Sequence, residues 1–247
     1  MARQSKKNID YTDVPVTLSG HPVYDNQLNG LILDEHQKYF RDCIWDDDKK
    51  LIICDAKAGS GKTTIAYMVA DLLYKYNKFP AGIVYTVSPY GEKKQGYLPG
   101  GLAEKSEVYF EPIYQAILKC NQLPQSIIVN EAMLASSDKQ VEPGYVRCLT
   151  HTYMRGINIE DSVVIIDEAQ NFSFDDLKKT ITRIHDSCKV IVIGHSEQRD
   201  TDDLSNGFER YLKYYKRIED SGECRVAVCK LIRNYRGWIS QTADDCY

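Results

Sequence analysis

The stretch LIICDAKAGSGKTTIAYMV, residues 51–69, decides how the rest of this chain is read. Four apolar residues, Leu51 to Cys54, run into a turn made of Ala58, Gly59, Ser60 and Gly61, and a helical pattern follows at once, with Ile65, Met68, Val69 and Leu72 on one stripe. Such small residues bury little surface, so their value lies in access. Without bulky side chains, successive backbone N–H groups at a helix N-terminus can close around an anion. Lys62 adds a cation suited to the β- and γ-phosphates of a nucleotide, and the Thr63 hydroxyl a ligand for Mg2+. The segment therefore predicts a Walker A phosphate cradle formed by Ala58, Gly59, Ser60, Gly61, Lys62, Thr63 and Thr64, with ATP and Mg2+ as cofactors. It begins with Ala56 where Gly is more usual, which a turn of negative φ tolerates.

Working outward, short runs rich in Val and Ile recur at 50–55, 81–88, 162–169 and 189–194, the pattern of strands buried on both faces. Helical patterns lie between them. After residue 171, Ser173 can cap a helix with Asp176 in capping-box position and Leu177, Ile181, Ile184 and Cys188 as its apolar stripe. Strand and helix in alternation predict an α/β fold, a three-layer α-β-α sandwich around a mostly parallel sheet. The tail predicts a tyrosine-rich helix at 204–219, in which Phe208, Tyr211, Leu212 and Tyr215 share a buried face, then a strand at 223–230 and a helix near 236–245. Residues 1–32 form an N-terminal extension, irregular or an edge strand, and 33–247 one domain with an insertion at about 121–144. Residues 90–105 are a Gly- and Lys-rich loop.

The second half of the constellation comes about a hundred residues after the first. VVIIDEAQN ends an apolar run in Asp167 and Glu168, which predicts one carboxylate for the Mg2+ shell and a second to orient or deprotonate water. An acid after four strand residues sits at the C-terminal edge of a parallel sheet, where ligands bind in such folds. KVIVIGHSEQRD ends a further strand, and Gln198 there is a candidate sensor of the γ-phosphate.

A net charge of −4 supplies no global basic field, so contact with nucleic acid would need a local patch; Lys93, Lys94 and Tyr97 in the Gly-rich loop are the candidate. None of the eight cysteines belongs to a C-x-x-C pair, and Cys148-x-x-His151 is too sparse for a zinc site, which predicts reduced thiols and no structural metal. The polar start MARQSKKNID is followed by no apolar signal region, and the apolar runs are far below a membrane span, so a cytoplasmic location away from any membrane is expected.

At this point AGSGKTT, GEKKQGYLPGGLAEK, YMRG, IIDEAQN, ITRI and GHSEQRD stand in the order and approximate spacing of a known family, and over roughly residues 34–200 the chain resembles the PhoH-type ATPases. Their core is similar to the RecA-like first domain of superfamily 1 helicases. The resemblance implies a RecA-like fold and ATP hydrolysis coupled to RNA or single-stranded DNA. It also implies adenine reading by Gln37, which the residues alone equally allow as the third helical position of a capping box started by Asp34. Arg155 and Arg183 match family positions, and each has an ordinary structural reading as well. The residues from 195 onward are too few for a second helicase core, so the missing half would come from a neighbouring copy. That implies a homo-oligomer, hexameric by analogy, with Arg233 as an arginine finger and Arg236 in reserve. Two departures stand out: His195 replaces the family's usual Asp, and Ser88 stands before Pro89 where an Arg is usual.

Two other functions compete. A nucleotide-gated scaffold with slow turnover fits the acidic balance and His195. A small-molecule P-loop kinase would need a lid of clustered arginines and no water-handling glutamate, and Glu168 and Gln198 speak against it.

Overall fold

The computed structural model describes residues 27–28, 30–89, 108–129, 144–154, 156–196 and 207–244. The expectations for Lys93, Lys94, Tyr97, Arg155 and Gln198 fall outside them. A minimal hairpin of β1 (Gln27–Leu28) and β2 (Leu31–Ile32) leads into α1 (Glu35–Trp45). Then come β3 (Leu51–Ala56), the glycine turn and α2 (Lys62–Lys75), followed by β4 (Ile83–Val87), α3 (Glu111–Lys119), the single-turn α4 (Pro124–Ile127) and β5 (Val146–Thr150). β6 (Val163–Ile166), α5 (Phe174–Ile181), β7 (Lys189–Gly194), α6 (Gly207–Asp220), β8 (Val226–Leu231) and α7 (Trp238–Asp244) complete the order.

The six long strands form one sheet in the order β5-β4-β6-β7-β3-β8, and every pairing is parallel. Alternation along each strand divides the core in two. Ile52, Cys54, Tyr85, Val163, Ile165, Ile191 and Ile193 face a layer holding α1, α2 and α3, with Phe40, Ile65, Leu72 and Ile117. Ile53, Val84, Val164, Ile166, Val190 and Val192 face the opposite layer, where Leu177 of α5 and Phe208 of α6 pack. Covered on both sides, the central strands have no solvent face to mark with polar residues, which is why they read as unbroken apolar runs. This is the three-layer sandwich around a parallel sheet that the sequence predicts. Phe208 is fully buried, and Tyr211, Leu212 and Tyr215 pack on the same cluster, as their spacing implied.

Three details differ from the sequence reading. Strand β5 went unseen, because VRCLT lies at the sheet edge against β4 alone and mixes buried with exposed positions. α5 is capped by Ser173 but stops at Ile181; Ile184 instead bridges to Ile159, and the Cys188 thiol donates to the Ile159 carbonyl. The apolar stripe is real, but its last two members reach the core from a turn. β8 starts at Val226, since Glu223 and Arg225 are occupied with each other in the preceding turn. Among the described residues no helix is long and apolar enough to cross a membrane.

Candidate nucleotide-binding site

Two strands deliver the site. β3 and β6 are separated in the sheet only by β7, so the turn after Ala56 and the turn after Ile166 emerge side by side at the C-terminal edge. Gly59 and Gly61 take φ of 70° and 81°, left-handed values that glycine adopts without penalty. Gly61 is also the N-cap of α2, and no side chain caps it, whereas Asp34 closes a full capping box on α1 and Ser173 accepts from Asp176 N on α5. A central, buried helix whose first-turn amides are left without a side-chain cap fits an anion at its N-terminus.

Around that helix start the distant halves of the sequence meet. The Thr63 hydroxyl donates to Asp167 Oδ2 at 2.7 Å, and Lys62 Nζ lies 3.3 Å from Glu168 Oε1. Asp167 is fully buried and receives two further bonds, from the Tyr85 hydroxyl to Oδ2 at 3.0 Å and from the Glu168 amide to Oδ1 at 2.9 Å. Burial, and then the neighbouring Glu168 carboxylate, push the Asp167 carboxyl above its ordinary range, while Lys62 and the Thr63 bond act in the opposite direction. Burial likewise pushes the Tyr85 phenol well up, so it stays protonated and acts as donor. Glu168 sits at φ 50°, a left-handed conformation that costs a non-glycine residue about 1 kcal/mol. Its carboxylate is steadied by Gln170 Nε2 at 2.5 Å, and Gln170 Oε1 accepts from the His195 amide at the end of β7 at 3.0 Å.

Ala58, Gly59, Gly61, Lys62, Thr63, Thr64, Gln37 and Glu168 all line one cleft of about 800 Å3. Ser60 lies beneath it, 1% exposed; its carbonyl accepts from Gln37 Nε2 at 2.9 Å, and its hydroxyl has no partner. Gln37 does what the capping-box reading required, exchanging bonds with Asp34 at 2.8 and 3.0 Å, while also lining the cleft. The alternatives were therefore not exclusive at the level of position. Arg183 donates to the Met154 carbonyl, a structural contact. Arg233 is exposed, its guanidinium 5.1 Å from the centre of the Tyr235 ring, and it does not line the cleft; Arg236 does.

Sequence reasoning missed several neighbours. Leu31, Ile32 and Leu33 form one rim, Glu111, Gln115 and Lys119 of α3 another, and Tyr235 a third. Tyr235 N donates to the Gly59 carbonyl and its hydroxyl to Asp34 at 2.6 Å, which ties the segment after β8 onto the phosphate turn. Asp55 accepts both the amide and the hydroxyl of Ser196 at 2.9 Å, tying the end of β3 to that of β7. None of these pairings has a signature in linear spacing. The donor set as a whole, uncapped amides with an ammonium, a hydroxyl and a buried carboxylate, fits a magnesium-bound polyphosphate, with Thr63 and Asp167 as the groups that would hold the cation.

The chain is 32% identical over 209 residues to Protein PhoH2 of Bacillus subtilis (strain 168), an alignment covering 81% of this chain and 43% of that protein. It is 31% identical over 190 residues to Protein PhoH of Escherichia coli (strain K12), covering 73% and 49%. The chain thus spans about half the length of these relatives. Among solved structures, the HK97 bacteriophage large terminase superposes on 87% of this chain and 42% of its own with a TM-score of 0.48 at 15% identity. The family model described as PhoH-like protein matches residues 32–242, nearly the whole of the described fold and every residue of the phosphate turn and the acid pair, and the chain belongs to that family.

Proposed function

We propose that this protein hydrolyses ATP as its magnesium complex and couples the reaction to RNA or single-stranded DNA. The observation that carries the reading is the convergence of Lys62, Thr63, Asp167 and Glu168, more than a hundred residues apart in sequence, at one uncapped helix start. Bound Mg2+ would supply charge neutralisation between phosphate oxygens. Lys62 would leave Glu168 for the phosphates, and the Glu168 carboxylate, still held by Gln170, would then take a proton from the attacking water at Oε1. Gln37 is placed to read the adenine edge, since it lines the cleft beside the phosphate turn. Gln198 remains the proposed γ-phosphate sensor.

An exposed Arg233 outside its own cleft supports service in a neighbouring copy's site, so the working form is taken as a homo-oligomer. Buried thiols at Cys43, Cys54, Cys188 and Cys229 suit a reducing, cytoplasmic setting. Lys62→Ala and Glu168→Gln are each expected to lower ATP turnover at least about 100-fold, the first with loss of nucleotide binding and the second with binding retained. Turnover measured with and without single-stranded RNA or DNA tests the coupling; phosphate transfer to an added metabolite would indicate a kinase, and tight binding with almost no turnover a scaffold. Unchanged hydrolysis in Glu168→Gln would overturn the assignment.

A further inference from the structure

Asp167 takes its three donors from three places. The Glu168 amide belongs to its own turn, Thr63 to the start of α2, and Tyr85 to the middle of β4, the strand whose Thr86 carbonyl accepts from the Asp167 amide at 2.9 Å. Tyr85 is fully buried on the α2 side of the sheet, pairs in register with Ile165, and packs edge-on against Phe110 at 6.3 Å. A phenylalanine would fill that space without bringing a polar group into the core. A buried phenol is unfavourable unless its hydroxyl finds a partner, and the partner here is the carboxylate oxygen that Thr63 also holds.

We propose that Tyr85 is a positioning residue of the metal site, its hydroxyl holding Asp167 Oδ2 in place so that the carboxylate and Thr63 together receive the cation. The proposal rests on the nucleotide reading above. Thr63 is the donor whose oxygen must serve the cation as well as Asp167, whereas Tyr85 has no such second duty. It therefore fixes the carboxylate whether or not the site is loaded. Groups that orient a metal ligand from outside the coordination sphere typically govern affinity by about 10- to 100-fold.

The test titrates Mn2+ into the full chain with a non-hydrolysable ATP analogue and follows free Mn2+ by electron paramagnetic resonance. Tyr85→Phe is expected to weaken Mn2+ binding by about 10-fold or more, with analogue binding in EDTA changed less than about twofold. Tyr67→Phe is the control, since it also removes a buried hydroxyl, bonded to Gln122 rather than to Asp167, and it should leave Mn2+ affinity unaltered. Tyr85→Met removes the same donor with a differently shaped side chain; an equal loss there ties the effect to the hydroxyl, and this variant carries the test if Tyr85→Phe does not fold. Unchanged Mn2+ affinity in the Tyr85 variants, or an equal loss in Tyr67→Phe, overturns the inference while leaving the nucleotide reading intact. Failure of the wild-type chain to bind the analogue at all overturns both.

Discussion

The lysine at 62 and the glutamate at 168 pair with opposite charges across 3.3 Å. On the proposed reading a polyphosphate would displace this pair, being the better partner for an ammonium beside uncapped amides. Gly59 shows how tightly the turn is built. A Cβ there would press into Asn234 Oδ1 and come within 2.7 Å of Arg236 Cγ, on a backbone at φ +70°. Both neighbours belong to the segment that Tyr235 fastens to the same turn. Gly59→Ala is therefore expected to destabilise the fold by more than about 1 kcal/mol and to weaken nucleotide binding severalfold, measured by thermal melting and calorimetry. An alanine variant that melts and binds like the wild type would show that this segment does not clamp the turn. Of the site residues, Lys62, Thr63, Asp167 and Glu168 were legible because their motifs impose fixed spacing on a strand end. Tyr85 and Gln170 were not, since each acts through a neighbour that is adjacent only in three dimensions.

At the scale of elements, β7 begins with an unusual residue. Lys189 is 1% exposed, and its ammonium donates to the carbonyls of Asp46 and Lys49, closing the turn between α1 and β3. Burial lowers its pKa from 10.5 to about 8, with Asp47 and Asp46 acting in the opposite direction and Lys50 and Lys78 adding to the fall. Below pH 8 both folded and unfolded chains carry the proton, and the burial penalty is fully present. Between about 8 and 10.5 the folded state sheds the proton first, so the unfolded state binds more protons and stability rises with pH. The buried thiols of Cys54, Cys148 and Cys229 are pushed up and act with the opposite sign above about pH 9, so the comparison has to be made against a variant. The stability of the wild type relative to Lys189→Met is expected to rise by about 2 kcal/mol from pH 7.5 to 9.5 in urea unfolding. A flat difference would mean that the lysine stays charged in the fold. A second network, in which Asp71 of α2 accepts from Lys75, Gln122 and Tyr145, fastens α2 to the residue before β5 and to the segment after α3. Apart from the Asp71–Lys75 pair, four residues apart on α2, none of this was predictable from spacing, because the other partners are tens of residues or more away.

For the molecule as a whole, the cleft joins the rim at Leu31–Leu33, the phosphate turn, α3 and the segment after β8, so its contents should report on global stability. A nucleotide at 100 times its dissociation constant adds about 2.7 kcal/mol, which for a chain of this size corresponds to a rise in melting temperature of roughly 5–10 °C. The wild type should show that shift with a magnesium-bound ATP analogue, and Lys62→Ala should not; a shift of equal size in the variant would place the ligand elsewhere. The sequence by itself determined the layered parallel fold, the phosphate turn and the acid pair, because apolar strands covered on both faces and a glycine turn before a helix are local constraints that leave local marks. Only the tertiary structure decided that Arg233 lies off its own cleft, that α5 ends at Ile181, that β5 adds an edge, and that Tyr85 and Gln170 brace the two acids. Those outcomes depend on strand order and on register between neighbouring strands, set by packing across the whole sheet rather than by any one segment.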